Sequence, residues 1–497
     1  MSDYNEEEYL DIPRHTFMDE KKAQYELKIR RLKLLCLALL TLCVMLAGAL
    51  GGLFYITKQR SYNVSEKFGL ALDIMENEWF FAAGIDNVHE RLADQAYRGM
   101  TTNEEDPHTS YMTRQEQEEF VQGINRNFVG IGVQFFQLAD ETPMIERVFK
   151  GAPAEEAGVL PGDIIYSVDG VLVQGLSNDE IVDLVRGEAG TVVHMQFKRG
   201  EEIIPLNITR REIATTVYGR TEGDTGILEI SQFGSSTADE TAVFLNEFKE
   251  AGIEKLIIDL RDDGGGYVAS LQKPAGLFLD PGVVALIEED SAGEQTIEKV
   301  SGKRIWNTTA PIIILVNDGT ASAAEAFTLA LKEQRDNVTV LGTTTYGKGT
   351  AQISYPLGDG SYLKYTYAKW LSPEGNWVNG TGITPDEIVE LPYILSIAAY
   401  TFTDENEAYR YDSVGQAVRI AQYALEYLGY ETDRTDGYFS SMTERALYAF
   451  AADKGYSFDG TLDEDMLNQL IQAVLYDWMT ETTHDTQLQR ALEILND

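Results

Sequence analysis

An uncharged, strongly apolar run near the N-terminus constrains this chain more than any other feature. Residues 34–57, LLCLALLTLCVMLAGALGGLFYIT, contain no charged side chain. A helix rises 1.5 Å per residue, so this run spans about 36 Å, enough to cross a hydrocarbon core of about 30 Å. We therefore predict a single transmembrane helix over 34–57. A cleaved signal peptide is the alternative, because Ala47 and Ala49 form an A-x-A-like cleavage site.

The charges on either side of the run predict its orientation. Many basic residues precede the run and few follow it closely. They are Lys21, Lys22, Lys28, Arg30, Arg31 and Lys33 before it, and Lys58 and Arg60 after it. The positive-inside rule then makes residues 1–33 a cytoplasmic tail. Everything from about residue 60 onward is expected on the extracytoplasmic side of the cytoplasmic membrane, as part of a single-pass protein.

Composition narrows the classes of function. The 497 residues hold 80 acidic and 40 basic side chains, a net charge of −40. So acidic a surface repels polyphosphate, which argues against nucleic acid as a partner. The two cysteines, Cys36 and Cys43, both lie in the apolar run, so the rest of the chain has no disulfide and no cysteine nucleophile. The five histidines do not have metal-ligand spacing, and we expect no metal.

Length suggests about three domains, and the patterning divides the exported part accordingly. Residues 64–118 are predicted to be mostly helical and to end in a Pro-containing turn, EDPHTSYMT. Residues 125–212 alternate short β-rich runs with glycines, and 129–136 is predicted as one strand. In the same region, 177–187 has the cap residues and acidic first turn of a helix.

Residues 213–395 alternate apolar strands with helices, as an α/β or α+β core does. An Ala-rich helix is predicted over 321–333. The strand candidates are 225–231, 255–261, 311–317, 338–343 and 362–372. Residues 412–475 predict three further helices, the first amphipathic and ending at Gly429, and 476–497 predict a C-terminal helix.

Ser322 is the first candidate for chemistry. It lies between a buried strand and a helix of small residues, in NDGTASAAEAF. A serine there can present a nucleophilic hydroxyl beside the backbone N–H groups of the helix start, which can hold an oxyanion. The alternative is an ordinary N-cap.

Lys348 is the second candidate, between two glycines in TTTYGKGTAQ. A solvated lysine, with a pKa near 10.4, is a poor base at pH 7, but burial disfavours its charge and makes it a usable general base. Gln352, four residues on, could orient the amine. A solvated Gly-Lys-Gly turn is the alternative.

The third candidate is the glycine run in IIDLRDDGGGYV, where a strand ends. Backbone N–H groups can approach an oxyanion closely at such a place. A simple β-turn is the alternative.

Two modules resemble known binding domains. The segment GAPAEEAGVLPGDIIYSVDG within 125–212 resembles the PDZ domain. That resemblance implies that Gly130, Ile131, Gly132 and Val133 form the loop that binds a peptide C-terminus, with a spacer that binds nothing as the alternative. The pieces LGY, DGYFSSMT and AFAADKG in 412–475 resemble the peptidoglycan-binding-like module, with a packing or dimerisation role as the alternative.

Taken together, TASAAE and YGKGTAQ resemble the C-terminal processing peptidases, or tail-specific proteases. EDPHTSYMT, LVRGEAGT and WLSPEGNWVNGTGITPD resemble further motifs of that family. The resemblance covers about 65–395 and implies a multidomain α+β chain with a crotonase/Clp-like peptidase core. It implies a Ser-Lys dyad with Ser322 as nucleophile, Lys348 as general base and Gln352 as its partner. It places the oxyanion hole at Gly265 and Ala323, and it implies no cofactor and a homodimer, with the terminal helices as candidate contacts.

Two residues depart from the family pattern, since Asp262 and Asp263 stand where Asn or Gly is usual. Carboxylates near Lys348 would raise its pKa and oppose its role as base, unless they point to solvent.

Three functions follow, from different classes. The leading hypothesis is a membrane-anchored serine endopeptidase of the bacterial cell envelope that takes unstructured, apolar C-termini of proteins through its PDZ domain. The second is a catalytically inert cell-wall adaptor that binds peptides and peptidoglycan. The third is a glycan hydrolase with paired carboxylates, for which the chain has acids but no motif.

Overall fold

The computed structural model of the protein describes residues 14–60, 63–137, 142–200, 202–397, 400, 402 and 407–496. The chain divides into two compact units, one ending at Met100 and one beginning at Thr101. Each unit is described by itself.

The first unit is helical where the structure describes it. Its helices are α1 (Arg14–Arg60), α2 (Val64–Asn77) and α3 (Val88–Thr101). Within α1, Lys22–Gly51 is long and apolar enough to cross a membrane, and no other helix in the described ranges meets that criterion. A signal sequence would meet the same criterion. Asn63 caps α2 by accepting the Ser65 N–H at 3.2 Å.

The second unit opens with a short strand and a helix, β1 (Ser110–Met112) and α4 (Arg114–Asn125). The strand corrects the expectation that the turn in EDPHTSYMT simply ends a helical segment. Thr113 caps α4, and the Glu116 carboxylate accepts the Thr113 N–H at 2.8 Å, which completes a capping box.

The PDZ-like region follows, with eight short strands and two helices in the described residues. They are β2 (Phe128–Gly130), β3 (Val133–Gln137), β4 (Pro143–Val148), α5 (Pro153–Ala157), β5 (Ile164–Val168), β6 (Val171–Leu172), α6 (Asn178–Val185), β7 (Val192–Arg199), β8 (Glu202–Thr209) and β9 (Arg211–Ile213). An antiparallel sheet runs in the order β3–β4–β5–β7–β8, with β6 beside β5, while β2 pairs with β9. The strand β3 is therefore an edge strand.

The single strand predicted over 129–136 is wrong. The chain breaks at Ile131 and Gly132, between β2 and β3. Gly132 has φ +80°, and a Cβ there would lie 2.2 Å from the Cβ of Ala152. The backbone conformation and the close packing both require glycine, and this glycine ends the strand.

The peptidase-like region holds the largest hydrophobic core. Its elements are β10 (Val217–Glu222), β11 (Thr225–Ile230), α7 (Thr237–Glu250), β12 (Lys255–Asp259), α8 (Gln272–Gly276), β13 (Val284–Asp290), β14 (Gln295–Lys299), β15 (Ile312–Val316), α9 (Ala323–Gln334), β16 (Val338–Gly342), β17 (Thr350–Pro356), β18 (Tyr362–Leu371), β19 (Glu387–Ile388) and α10 (Ile394–Ile397). One sheet runs β10–β11–β12–β15–β16–β19, and it is parallel from β11 onward. Every residue of β15 is buried, as in a parallel sheet covered on both faces.

A second sheet in this region runs β1–β18–β13–β14, with β17 also paired to β18. The pairing of β1 with β18 attaches the segment before the PDZ-like region to the peptidase-like region, since Ser110 lies opposite Lys364. All five predicted strands of 213–395 are confirmed, as β11, β12, β15, β16 and β18.

The C-terminal residues form a helical module followed by a separate helix. The helices are α11 (Gln416–Tyr427), α12 (Ser441–Lys454), α13 (Glu464–Thr480) and α14 (Thr486–Asn496). The first three share one core with Phe439 and Phe450. The boundary expected after residue 475 falls inside α13.

Helix α14 packs on the parallel sheet of its own chain. Leu488, Ala491 and Leu495 join a core with Ile257 and Ile313 of the strands. The apolar face of this terminal helix is thus covered within the chain. A role for the terminal helices as dimer contacts stays a prediction. The multidomain α+β fold class is confirmed.

Candidate active site

Three loops meet at one edge of the parallel sheet. The strands β12, β15 and β16 are neighbours, and their carboxyl ends lie at the same edge. The loops that follow them carry Gly265, Ser322 and Lys348, respectively. Open α/β sheets place their functional sites outside these strand ends. The fold therefore brings together three segments that are far apart in sequence.

Ser322 lies at a strained turn between β15 and α9. Its backbone has φ +56° and ψ −115°, a region that residues with a side chain rarely adopt. The side chain is 3% exposed. Ala323 follows as the first residue of the helix, and its N–H has no acceptor among the residues that the structure describes.

Gly265 lies against this turn. It has φ +94°, and a Cβ on it would lie 2.6 Å from the Ala321 carbonyl oxygen and 2.8 Å from the Ala323 nitrogen. The same Cβ would lie 2.8 Å from the Cβ of Ser322. Only glycine fits here, and the two residues predicted to hold an oxyanion lie side by side next to the predicted nucleophile.

Glu325 joins the serine turn to the lysine loop, and the sequence analysis gave it no role. Its fully buried carboxylate accepts the Ser322 N–H at 2.8 Å and the Lys348 N–H at 2.9 Å. It also accepts the Gly347 N–H at 2.8 Å and the Thr345 hydroxyl at 2.5 Å. One side chain thereby fixes both loops. In the sequence, the glutamate that ends the TASAAE motif could have indicated this residue.

Lys348 is half-buried, and its backbone is held on both sides. Its carbonyl accepts the indole N–H of Trp370 at 2.9 Å. Burial lowers the pKa of the Lys348 amine, and the positive charge of Lys364 lowers it further. Asp106 and Glu325 oppose that shift. A lysine with a lowered pKa is a better general base near neutral pH.

Gln352 does not contact the Lys348 amine through any hydrogen bond in the described structure. Its amide donates to the hydroxyls of Thr350 at 2.9 Å and Thr366 at 3.2 Å. Thr366 in turn donates to the Asp106 carboxylate at 3.0 Å. An orienting role for Gln352 toward Lys348 stays a prediction.

His108 lies near Lys348, although it is far from it in the sequence. Burial lowers the pKa of its imidazole, and the nearby charge of Lys348 lowers it further. This proximity arises because β1 pairs with β18 and carries residues 106–109 to that strand, where Thr109 accepts the Thr366 N–H at 3.1 Å. In the sequence, the motif EDPHTSYMT could have indicated that His108 lies near the site.

The two unusual aspartates behave differently. Asp262 accepts the Asn317 amide at 2.9 Å. Asp263 is fully buried, and its Oδ1 accepts the Gly265 N–H at 2.8 Å, while its Oδ2 has no hydrogen-bond partner among the described residues. Burial raises the pKa of the Asp263 carboxyl well above its ordinary value, against the Gly265 hydrogen bond and the charge of Arg126.

The Asp263 contact has a direct consequence for the oxyanion site. Of the two predicted donors, the Ala323 N–H is open and the Gly265 N–H is taken by a carboxyl group of the chain itself. Neither Asp262 nor Asp263 contributes to the pKa shift of Lys348. These carboxylates therefore do not raise the pKa of Lys348 as expected. Asp263 instead occupies a predicted oxyanion donor.

The PDZ-like region carries a small apolar cavity of about 110 Å³ at the predicted peptide loop. Its lining includes all four predicted residues, Gly130, Ile131, Gly132 and Val133. The N–H groups of Ile131 and Gly132 find no acceptor in the described residues. The side chain of Ile131 is itself buried in the core, so its contribution to a ligand site is its backbone.

Arg147 links the PDZ-like region to the parallel sheet. It pairs with Glu229 of β11 at 2.6 Å and lies over the ring of Tyr218 at 5.0 Å. Within the described ranges, no cluster of three or more histidine, cysteine or acidic side chains could hold a metal ion.

Comparison with known proteins gives three matching domains. Residues 224–389 match peptidase family S41, 144–199 match a PDZ domain, and 414–470 match a peptidoglycan binding domain. The carboxy-terminal processing protease CtpA of Bacillus subtilis (strain 168) is 32% identical over 478 residues, which are 94% of this chain and 99% of that protein. The chain belongs to peptidase family S41. It is therefore an enzyme of the serine protease class.

Further proteins named as proteases are similar to this chain. A probable CtpA-like serine protease of Staphylococcus epidermidis is 32% identical over 76% of each chain. Among solved structures, the photosystem II D1 C-terminal processing protease is 27% identical over 64% of this chain and 88% of its own, with a TM-score of 0.37.

Proposed function

We propose that this S41 peptidase is a membrane-anchored endopeptidase that cleaves peptide bonds with a Ser-Lys dyad. The observation that carries the proposal is the meeting of Ser322, Lys348 and Gly265 on three adjacent loops, with Glu325 bonded to two of them. In this proposal Ser322 is the nucleophile and Lys348 is the general base. Gln352 orients the Lys348 amine.

The reaction follows from these roles. The neutral Lys348 amine takes the proton of the Ser322 hydroxyl while the oxygen attacks the peptide carbonyl carbon. The Ala323 N–H holds the oxyanion, and the Gly265 N–H joins it when it leaves its hydrogen bond to Asp263. The proton passes to the leaving amine as the C–N bond breaks and an acyl-enzyme forms. A water then gives its proton to Lys348, attacks the ester and releases the carboxylate product.

The PDZ domain would select the substrate. A peptide C-terminus would place its carboxylate on the free N–H groups of Ile131 and Gly132 and its last side chain in the apolar cavity. The Bacillus subtilis relative is named for carboxy-terminal processing. We infer that unstructured, apolar C-termini are the substrates here too.

The N-terminal apolar helix and the peptidoglycan binding domain would determine where in the cell the peptidase acts. The basic residues before α1's apolar segment favour a cytoplasmic N-terminus, so the peptidase would act outside the cytoplasmic membrane. The match of 414–470 to a peptidoglycan binding domain supports contact with the cell wall. A homodimer is inferred from the family resemblance alone.

The test uses the full chain in detergent with β-casein as an unfolded substrate. Ser322→Ala and Lys348→Ala should each abolish cleavage. Matched controls are Ser291→Ala and Lys303→Ala, which change exposed residues of the same types. Cleavage that survives Ser322→Ala or Lys348→Ala would refute the dyad, and loss of cleavage in the controls would refute the assignment to these particular residues.

A second candidate function is the inert adaptor, and one observation favours it. The Asp263 carboxyl accepts the Gly265 N–H that the oxyanion would need. If the parent protein leaves both casein and peptides with apolar C-termini intact while still binding those peptides, the adaptor is the better description.

A further inference from the structure

A large cavity lies between the PDZ domain and the helical C-terminal module. It encloses about 840 Å³. Phe136, Gln137 and Asn178 line it from the PDZ side, and α13 contributes Ala473 and Tyr476 from the other. The rings of Phe136 and Tyr476 lie 6.0 Å apart and join the two modules. The cavity is not part of the active site described above.

This cavity lies at the far end of the peptide groove of the PDZ domain. The small cavity at the carboxylate loop is lined by Val133 and Phe135 of β3 and by Val182 of α6. The large one begins at Phe136 and Gln137, the end of β3, and at Asn178, the start of α6. Both cavities therefore lie along the same strand and the same helix, one at each end.

The direction of a bound peptide follows from the edge strand. A peptide that adds antiparallel to β3, with its C-terminus at residues 131–133, runs toward Gln137. The five residues of β3 pair with about the last five residues of the peptide, because strands advance about 3.4 Å per residue. Residues further from the C-terminus leave the sheet edge and enter the large cavity.

The lining of the cavity suits a peptide with large side chains. Phe136, Tyr456 and Tyr476 supply aromatic surface, and Leu428 and Leu475 supply aliphatic surface. Tyr476 is 42% exposed and Leu475 is 41% exposed, so both side chains present apolar area to an occupant. Aromatic side chains in such a groove commonly anchor apolar residues of a partner.

We propose that the helical C-terminal module forms the outer half of the substrate groove. It binds the peptide residues about five to nine positions before the C-terminus and prefers aromatic or large aliphatic side chains there. This proposal rests on the proposed function, since it extends the PDZ recognition of C-termini. It gives the module a role in peptide specificity, in place of a glycan site in this groove.

The experiment measures peptide binding without cleavage. The full chain carrying Ser322→Ala, in detergent micelles, is titrated with two fluorescein-labelled peptides of four and ten residues that share an apolar C-terminal tetrapeptide. The longer peptide has phenylalanine at the sixth and seventh positions from its C-terminus. We expect it to bind about tenfold more tightly than the short one, as for a buried aromatic anchor.

Two surface variants locate the effect. Tyr476→Ala should reduce the affinity of the long peptide nearly to that of the short one and leave the short peptide unchanged. The matched control is Tyr448→Ala, a 47% exposed tyrosine of α12 that does not line the cavity. It should change neither affinity.

Several results would overturn the proposal. Equal affinities of the two peptides would do so, as would a Tyr476→Ala variant that weakens both peptides equally. Displacement of the long peptide by an N-acetylglucosamine oligomer would assign the groove to glycan. Binding of neither peptide would overturn this proposal and PDZ recognition together, while serine-dependent cleavage of casein would leave the dyad standing.

Discussion

Lys348 lies where its surroundings disfavour a positive charge. Burial is the larger cause of its lowered pKa, and Lys364 is the second. A general base must be neutral to accept a proton, so catalysis should rise with pH through the lowered pKa of Lys348 and not only near its ordinary value of 10.5.

Lys364 therefore acts through Lys348, because its charge lowers the pKa of that amine. Replacing it by methionine removes the nearby positive charge and should raise the pKa of Lys348. The acid limb of the pH profile of kcat/KM should then move to higher pH, with a several-fold loss at pH 7. Lys364→Arg retains the charge and should restore the parent profile. A profile unchanged by Lys364→Met would contradict the electrostatic account.

Asp263 lies beside the predicted oxyanion site and contacts one of its two predicted donors. Its buried carboxyl holds the Gly265 N–H, and burial raises its pKa while the charge of Arg126 opposes the shift. Below that pKa the carboxyl is neutral. Above it, a negative charge stands beside the position where the oxyanion would form.

The charge of Asp263 gives a second prediction. Asp263→Asn preserves the shape and removes the ionisation, so it should raise kcat above the parent's at high pH. The difference should disappear as the pH falls below the pKa of Asp263, where the parent is neutral as well. Parallel pH profiles of kcat for the two proteins would show that Asp263 does not control the oxyanion site.

At the scale of elements, the site depends on strands that are covered by α14. Leu488 is 2% exposed and packs with residues of β12 and β15. Arg261, just after β12, pairs with Asp485 at 2.8 Å beside the start of α14. The last helix of the chain thus holds the strands whose carboxyl ends carry the site.

Truncating that contact should destabilise the peptidase region. Leu488→Ala should lower the free energy of unfolding by about 3 kcal/mol, because a buried leucine leaves a cavity. Urea unfolding followed by tryptophan fluorescence measures it, since Trp306 and Trp370 are buried in that region. Glu493→Ala changes an exposed residue of the same helix and should stay within about 0.5 kcal/mol. Equal effects would contradict the packing described for α14.

The strands differ in how well the sequence predicts them. Strand β15 is a continuous apolar run and β12 has an apolar centre, so their existence could be predicted from the sequence. The break in 129–136 could not, because it depends on the contact of Gly132 with Ala152, which is set by tertiary packing. The edge strand β17 alternates weakly and gave no clear signal.

The candidate site could also be predicted only in part from the sequence. Ser322, Lys348 and Gly265 could be proposed from short motifs, since each follows a strand. The buried Glu325 that bonds to two loops and the approach of His108 to Lys348 could not. Both depend on long-range pairing, of β15 with β16 and of β1 with β18, which local pattern does not encode.

At the scale of the whole molecule, the chain combines an apolar helix, an S41 peptidase, a PDZ domain and a helical peptidoglycan binding domain. The net charge of −40 keeps such a surface from adhering to anionic lipid. In our account, the modules restrict where the peptidase acts and which C-termini reach it, while three loops of one sheet carry the chemistry.

The most direct test of that account is covalent labelling of the nucleophile. The full chain, supplied with a peptide that ends in apolar residues, is treated with an organophosphorus fluoride that phosphonylates activated serines. Mass spectrometry of the digested protein should find one adduct, on Ser322. It should be absent in Lys348→Ala and retained in Lys303→Ala. An adduct on another serine, or labelling of Ser322 that persists without Lys348, would contradict the proposed Ser-Lys dyad.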